Sequence, residues 1–115
     1  MQREKLMIIE LMSISVSLAR EDQIGEALES FVGPIEVQPG CLGCRLLKSS
    51  PTEERLYVLA RWESQKDLIR HIQSDIYKKL LLLMELSAAP PVVEFFNVLE
   101  IRGLDLVEDV RNSSG

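Results

Sequence analysis

The chain has 115 residues, 46% of them apolar and 27% charged, which is enough for one compact domain and too little for two. Its formal charge is −5, from 18 acidic and 13 basic side chains, and apart from Lys78-Lys79 the basic residues are scattered, which argues against a phosphate-tracking surface and hence against a nucleic-acid partner. The longest apolar run, Leu80 to Met84, is far short of the ~20 residues that span a bilayer, and the stretch behind the charged MQREK start is broken by Glu10, Ser13 and Ser15 without a small-residue cleavage site; the expectation is a cytoplasmic protein with no membrane partner.

Residues 6–18, LMIIELMSISVSL, are aliphatic and β-branched on both faces and predict a strand covered on each side. In AREDQIGEALESFVGP, Ile24, Leu28, Phe31, Val32 and Ile35 recur at helical intervals, Glu21 and Asp22 suit the dipole at the start, and Gly33-Pro34 should stop the helix. After Pro39-Gly40, CLGCRLLKSS reads as a second strand, SPTEER as a polar turn and LYVLARWE as a third strand with Leu56, Val58, Ala60 and Trp62 on one face. Ser64 with Asp67 has the form of a capping box opening a second helix, and Ser74 caps its continuation, so a break falls near Gln73-Ser74. Pro90-Pro91 ends that segment, VVEFFNVLEI supplies a fourth strand, and a short acidic stretch, LDLVEDV, leads to a disordered RNSSG tail.

The order β-α-β-β-α-β predicts a ferredoxin-like α+β fold over residues 1–103, an antiparallel four-stranded sheet with both helices on one face, followed by a partly disordered extension, 104–115. Strand one is apolar on both sides, with Met7, Ile9 and Leu11 against Ile8, Met12 and Ile14. Its bare face would leave a large exposed patch, and a homodimer through the sheet face is expected.

Both cysteines lie in PGCLGC, with C-x-x-C spacing. A redox pair needs its first thiolate at a helix N-terminus, and this one leads into a strand. In extended chain, residues three apart point to opposite faces, so Cys41 and Cys44 could share neither a disulfide nor a metal unless Gly43 bends the backbone. A structural zinc needs four ligands, and His71 is the only histidine. The expectation is two small, buried or half-buried thiols and no metal site.

His71 has Asp67 four residues before it and Asp75 four after, so either carboxylate could orient it for acid–base work; the plainer alternative is a partly exposed histidine touching an acid. Trp62 is either core or the wall of a flat aromatic ligand's pocket. Lys78, Lys79 and Arg61 read as solvated charges, and Asn97, in an otherwise apolar strand, needs a partner for its amide or an edge open to water.

Taken together, Val37-Gln38-Pro39-Gly40-Cys41-Leu42-Gly43 and the run Trp62, Glu63, Ser64, Leu68, His71, Ser74 and Tyr77 resemble the antibiotic biosynthesis monooxygenase family of dimeric α+β barrels. The resemblance implies a structural role for the P-G-C-x-G turn, a homodimer whose two sheets face each other, and a pocket between sheet and helices. Enzymes of this kind oxidise quinols or polycyclic phenols with dioxygen and no metal or flavin, which implies no cofactor here, a small aromatic ligand, His71 as base or hydrogen-bond donor, Trp62 as pocket wall, and Asn97 or Arg61 as an anchor for a substrate oxygen. A haem-degrading branch also resembles the Trp62–Leu81 region. Its iron-ligating histidine would fall about where Leu81 stands and its strand-one asparagine near Ser13, so iron binding is not expected. The fold is widely reused, and a non-catalytic small-molecule-binding or sensory homodimer is the rival expectation, with a stress-related accessory protein as a third.

Overall fold

A computed structural model of the chain describes residues 7–48 and 54–113. Most of the expected SPTEER turn, the end of the expected second strand at Ser49-Ser50, the MQREK start and Ser114-Gly115 lie outside the described residues. The elements run β1 (Met7–Ser15), α1 (Leu18–Glu36), β2 (Cys41–Lys48), β3 (Arg55–Trp62), α2 (Gln65–Ile72), α3 (Asp75–Met84), β4 (Val92–Val98) and α4 (Leu104–Ser113).

The four strands form one antiparallel sheet in the order β2-β3-β1-β4, so β1 and β3 are central and β4 is an edge. In the register Ile8 stands opposite Trp62, Glu10 opposite Ala60, Met12 opposite Val58 and Ile14 opposite Leu56. These eight residues share one face and all are buried. Helices α1 and α3 complete that core with Ile24, Leu28 and Ile35 from one and Tyr77, Leu80 and Met84 from the other. Each such aliphatic side chain taken out of water contributes ~1.5–3 kcal/mol, and this core fixes which sheet face is inside.

The expected strand and helix order is what the structure has, with two local differences. First, α1 does not stop at Gly33-Pro34 but includes Pro34 and ends at Glu36. A proline removes only its own N–H from the ladder, Gly33 has no Cβ to clash with the ring, and buried Ile35 anchors the last turn. Second, the acidic terminal stretch is a helix through Ser113, covering Arg111 to Ser113 of the tail expected to be disordered, and none of its residues is buried. The expected break near Gln73-Ser74 is present, and Ser64 and Ser74 cap two separate helices: each hydroxyl accepts a backbone N–H three residues on, from Asp67 at 3.3 Å and Tyr77 at 3.2 Å.

The turn between α1 and β2 depends on Gly40. Its φ of +81° is left-handed, its carbonyl accepts the Glu63 N–H at 2.8 Å, and a Cβ built there would lie 2.1 Å from the Asp67 side chain. Gly40→Ala therefore meets both a strained backbone and the capping carboxylate of α2. It should lower stability by roughly 1–3 kcal/mol from the backbone alone, with the Asp67 clash added, measured as a lower urea midpoint at unchanged m-value.

Candidate functional site

Five side chains from four elements and one turn meet beneath the helices. Glu10 comes from β1, Trp62 from β3, His71 from α2, Tyr77 from α3 and Gln38 from the turn after α1. Glu10 and His71 are each 2% exposed and Trp62 is fully buried. Trp62 Nε1 donates to Glu10 Oε1 at 3.1 Å, the diagonal reach that the β1–β3 register gives. His71 Nε2 lies 3.5 Å from the same oxygen, and Nδ1 lies 2.5 Å from Gln38 Oε1.

Two rings clamp the imidazole: Trp62 stacks on it with centroids 4.4 Å apart, and Tyr77 meets it edge-on at 4.9 Å. The break between α2 and α3 fixes His71 relative to Tyr77, because the Ser74 hydroxyl donates to the His71 carbonyl at 2.6 Å while accepting the Tyr77 N–H. Burial pushes the Tyr77 phenol well above its ordinary pKa, and the charge of Glu10 and its pull on the phenolic proton add to the shift. Tyr77 therefore stays a neutral hydroxyl.

Glu10 Oε2 is buried and meets no hydrogen-bond donor in proper geometry among the described residues. A buried carboxylate oxygen left without a donor costs ~1–3 kcal/mol or more, so a lone Glu in an apolar strand, satisfied on one side only, marks a place where stability has been given up.

The structure sorts the residues named from sequence. His71 and Trp62 come together, but His71 is held by Glu10 and Gln38, not by Asp67 or Asp75. Asp67 instead accepts from Ser64 Oγ at 2.7 Å and pairs with Arg70 at 3.4 Å, and Asp75 opens α3. Arg61 lies on the opposite sheet face from Trp62 and donates to the Leu42 carbonyl at 2.8 Å, away from the cluster. Asn97 pairs with Ile8 on the helix-side face but sits at the β4 edge, exposed. Gln38 and Tyr77 entered the sequence reading only within the motifs of the resemblance and Glu10 only as a break in an apolar run, none as a site residue, although one carboxylate inside LMIIELMSIS is a signal, since a buried acid in an apolar strand must have a reason.

Trp62, Tyr77 and Glu10 pack around the imidazole. A cleft of about 440 Å³ beside Met84 and Pro90, and one of about 370 Å³ between α1 and α3, touch neither Trp62 nor His71. Among the described residues no three His, Cys, Asp or Glu side chains are grouped to hold a metal ion, and no helix is long and apolar enough to cross a membrane.

A bulge between Cys41 and Gly43 changes the expected geometry of the cysteines. Cys41 stands opposite Trp62 and Cys44 opposite Ala60, so both share the helix-side face, yet they remain free thiols. A Cβ at Gly43 would lie 2.9 Å from the Arg61 guanidinium.

The profile described as antibiotic biosynthesis monooxygenase matches residues 7–81. The chain belongs to the antibiotic biosynthesis monooxygenase family. The matched span of this family member runs from β1 into α3 and contains Glu10, Gln38, Trp62, His71 and Tyr77, whereas β4 and α4 lie beyond it. Solved structures named for the same family share the fold. A protein of Caulobacter crescentus CB15 is 24% identical with a TM-score of 0.73, covering 84% of this chain and 92% of its own. One from Nitrosomonas europaea is 17% identical with a TM-score of 0.74, covering 90% and 100%. One from Bordetella bronchiseptica is 25% identical with a TM-score of 0.67, covering 86% and 99%. Among curated proteins no sequence match is found.

In this family member burial raises both thiols, Cys44 to about 12, with Cys41 and nearby carboxylates adding to it. A pKa raised by folding stabilises the native state below the unfolded value of about 9 and loses that contribution as pH climbs toward the folded value. Thiol reagents at pH 8 should therefore label Cys44 many times more slowly in the native protein than in urea. The urea midpoint should also fall above pH 9, less steeply in Cys44→Ala.

Proposed function

We propose that this chain is a monooxygenase that oxidises a quinol or a phenolic or polycyclic aromatic compound with dioxygen, drawing on no cofactor, and that the Glu10–His71 pair takes up the phenolic proton. The observation that carries this reading is the buried pair itself: a carboxylate and an imidazole in contact, clamped by Trp62 and Tyr77, with one carboxylate oxygen still open as an acceptor. A phenolate gives up an electron to dioxygen far more readily than a phenol, so removing that proton is the task left to the protein. The balance closes without another reagent: a hydroquinone and dioxygen give a hydroxyquinone and water, one oxygen atom staying in the product, the other leaving as water, and all four electrons coming from the substrate.

The aromatic walls exclude water from the reacting phenolate. Trp62 serves as the donor that fixes Glu10, and Asn97, on the same sheet face at the β4 edge, is the anchor for a second substrate oxygen. The density of side chains around His71 favours, as a second reading, a dimer that binds an aromatic molecule without transforming it. Oxygen uptake with a panel of quinols and hydroxylated polycyclics separates the two. Turnover that drops about 100-fold or more in His71→Ala supports the oxygenase; turnover unchanged in that variant removes His71 from the mechanism, and binding without uptake supports the second reading.

The opposite face of the sheet supports a homodimer. Ile9, Leu11, Tyr57, Leu59 and Phe96 lie there with no helix over them, and Phe96 is 45% exposed. Sedimentation should find a dimer at micromolar concentration; substituting Glu for Leu11 should shift it to monomer, and a folded wild-type monomer at that concentration would count against the pairing.

A further inference from the structure

We infer that α4 is a clasp on a second copy of this chain, its aliphatic side and Glu108 docking on the outer sheet face of that copy beside the partner's Arg45. The inference rests on the homodimer reading and adds to it a segment that lies beyond the matched residues 7–81. None of the ten residues of α4 is buried, and Leu104, Leu106, Val107 and Val110 are 43–70% exposed. A helix of that length is marginal alone in water, so this one needs a surface to lie on. Its polar side is already organised: Asp105 accepts the Gly103 N–H at 2.9 Å, and Arg102 pairs with Asp105 at 2.8 Å and with Asp109 at 3.0 Å. Glu108, one turn after Leu104, borders the aliphatic side and takes no part in those pairs.

Charge and topology identify the surface. On the outer face, β2 and β3 carry Arg45, Arg55 and Arg61 among Leu47, Tyr57 and Leu59, with no acid from either strand. A cleft of about 220 Å³ lies between Arg45 and Arg61, lined also by Leu42 and Leu59, and Glu36 at the end of α1 is its one acid. The β1–β4 half of this face has Glu94 and no base, and residues 99–113 hold four acidic against two basic side chains. In the order β2-β3-β1-β4 the acidic arm leaves the sheet at the edge away from these arginines. Two such sheets stack face to face about a twofold axis that runs either across the strands or along them. The first choice lays β2 over the same strand of the second copy and sets Arg45 against the partner's Arg45. The second lays β4 over β2 of the second copy, which brings Glu94 and the arm that follows it to the partner's Arg45. The five residues between β4 and α4 reach up to about 17 Å, more than the ~10 Å between stacked sheets. The arm's negative charge argues against an anionic membrane or a nucleic acid as its surface.

The test is sedimentation of the full chain with Glu108→Arg and Arg45→Glu, two exposed positions whose exchange disturbs no buried group. Each single variant places like charges at both contacts of its homodimer and should raise the dimer Kd about tenfold or more. Mixed in equal amounts, the two variants should recover a Kd close to that of the wild type, because both contacts of the mixed pair again join an arginine to a glutamate. An arm folded back on its own chain gives no such rescue, since each chain would carry its like-charged contact with it. Amide hydrogen exchange supplies a second reading that leaves the arm's sequence untouched: residues 104–113 should exchange slowly in the wild-type dimer and many times faster in Leu11→Glu. Single variants that pair as the wild type does, a mixture no tighter than its components, or an arm equally unprotected in dimer and monomer would overturn the clasp. The two readings fail separately. A dimer that Leu11→Glu breaks and the charge variants leave intact keeps the sheet pairing and removes the clasp, whereas a wild-type monomer at micromolar concentration removes both.

Discussion

One carboxylate, Glu10, is set in the middle of a sheet whose other inward residues are almost all apolar, and most of the molecule's arrangement answers to it. Taking a carboxyl group out of water is costly unless donors replace the water, and the indole of Trp62 does so on one oxygen, with the imidazole of His71 3.5 Å from the same atom. That requirement ties three elements together. A slip of one residue between β1 and β3 would turn Trp62 to the other face, and a rotation of α2 would withdraw His71. The same contact that holds the helices over the sheet therefore also fixes the groups able to move a proton.

The turn at Pro39-Gly40 is the second fastening. It brings Gln38 to His71, passes the Gly40 carbonyl to Glu63 at the end of β3, and lets the Asp67 cap of α2 approach the backbone closer than any side-chain-bearing residue would allow. The P-G-C-x-G sequence is thus a docking turn for the helix that carries His71. The cysteines that follow it sit on the inward face as small, proton-retaining thiols, Cys44 buried and Cys41 half-buried. Their spacing looks like redox chemistry only on paper, since no helix N-terminus lowers either pKa.

The two faces of the sheet divide the work. The helix-side face holds the core and the Glu10 cluster, and its exposed border is β4, where Phe95 and Asn97 stand in the open. The other face carries a band of half-covered apolar side chains, and the α4 helix beyond β4 shows Leu104, Val107 and Val110 to solvent.

Much of this was readable from the residues alone. Periodicity and caps placed the four strands and the helices up to α3, though not the α4 helix, because they are local: Ser64 and Ser74 bond backbone three residues away, and the Leu56-Val58-Ala60-Trp62 alternation is a property of any strand. The same alternation already set Arg61 apart from its neighbour Trp62, since adjacent strand residues point oppositely. What the sequence could not settle was which distant groups meet. Asp67 and Asp75 stood at helical spacing from His71, yet its partners are Gln38, 33 residues away, and Glu10 on a strand that pairs with β3 through the register. Local hydrogen bonds and side-chain periodicity are written in short intervals of chain. The pairing of Glu10 with His71 exists only once burial of the core has fixed the sheet register and laid α2 across it, and that is a decision of the whole fold.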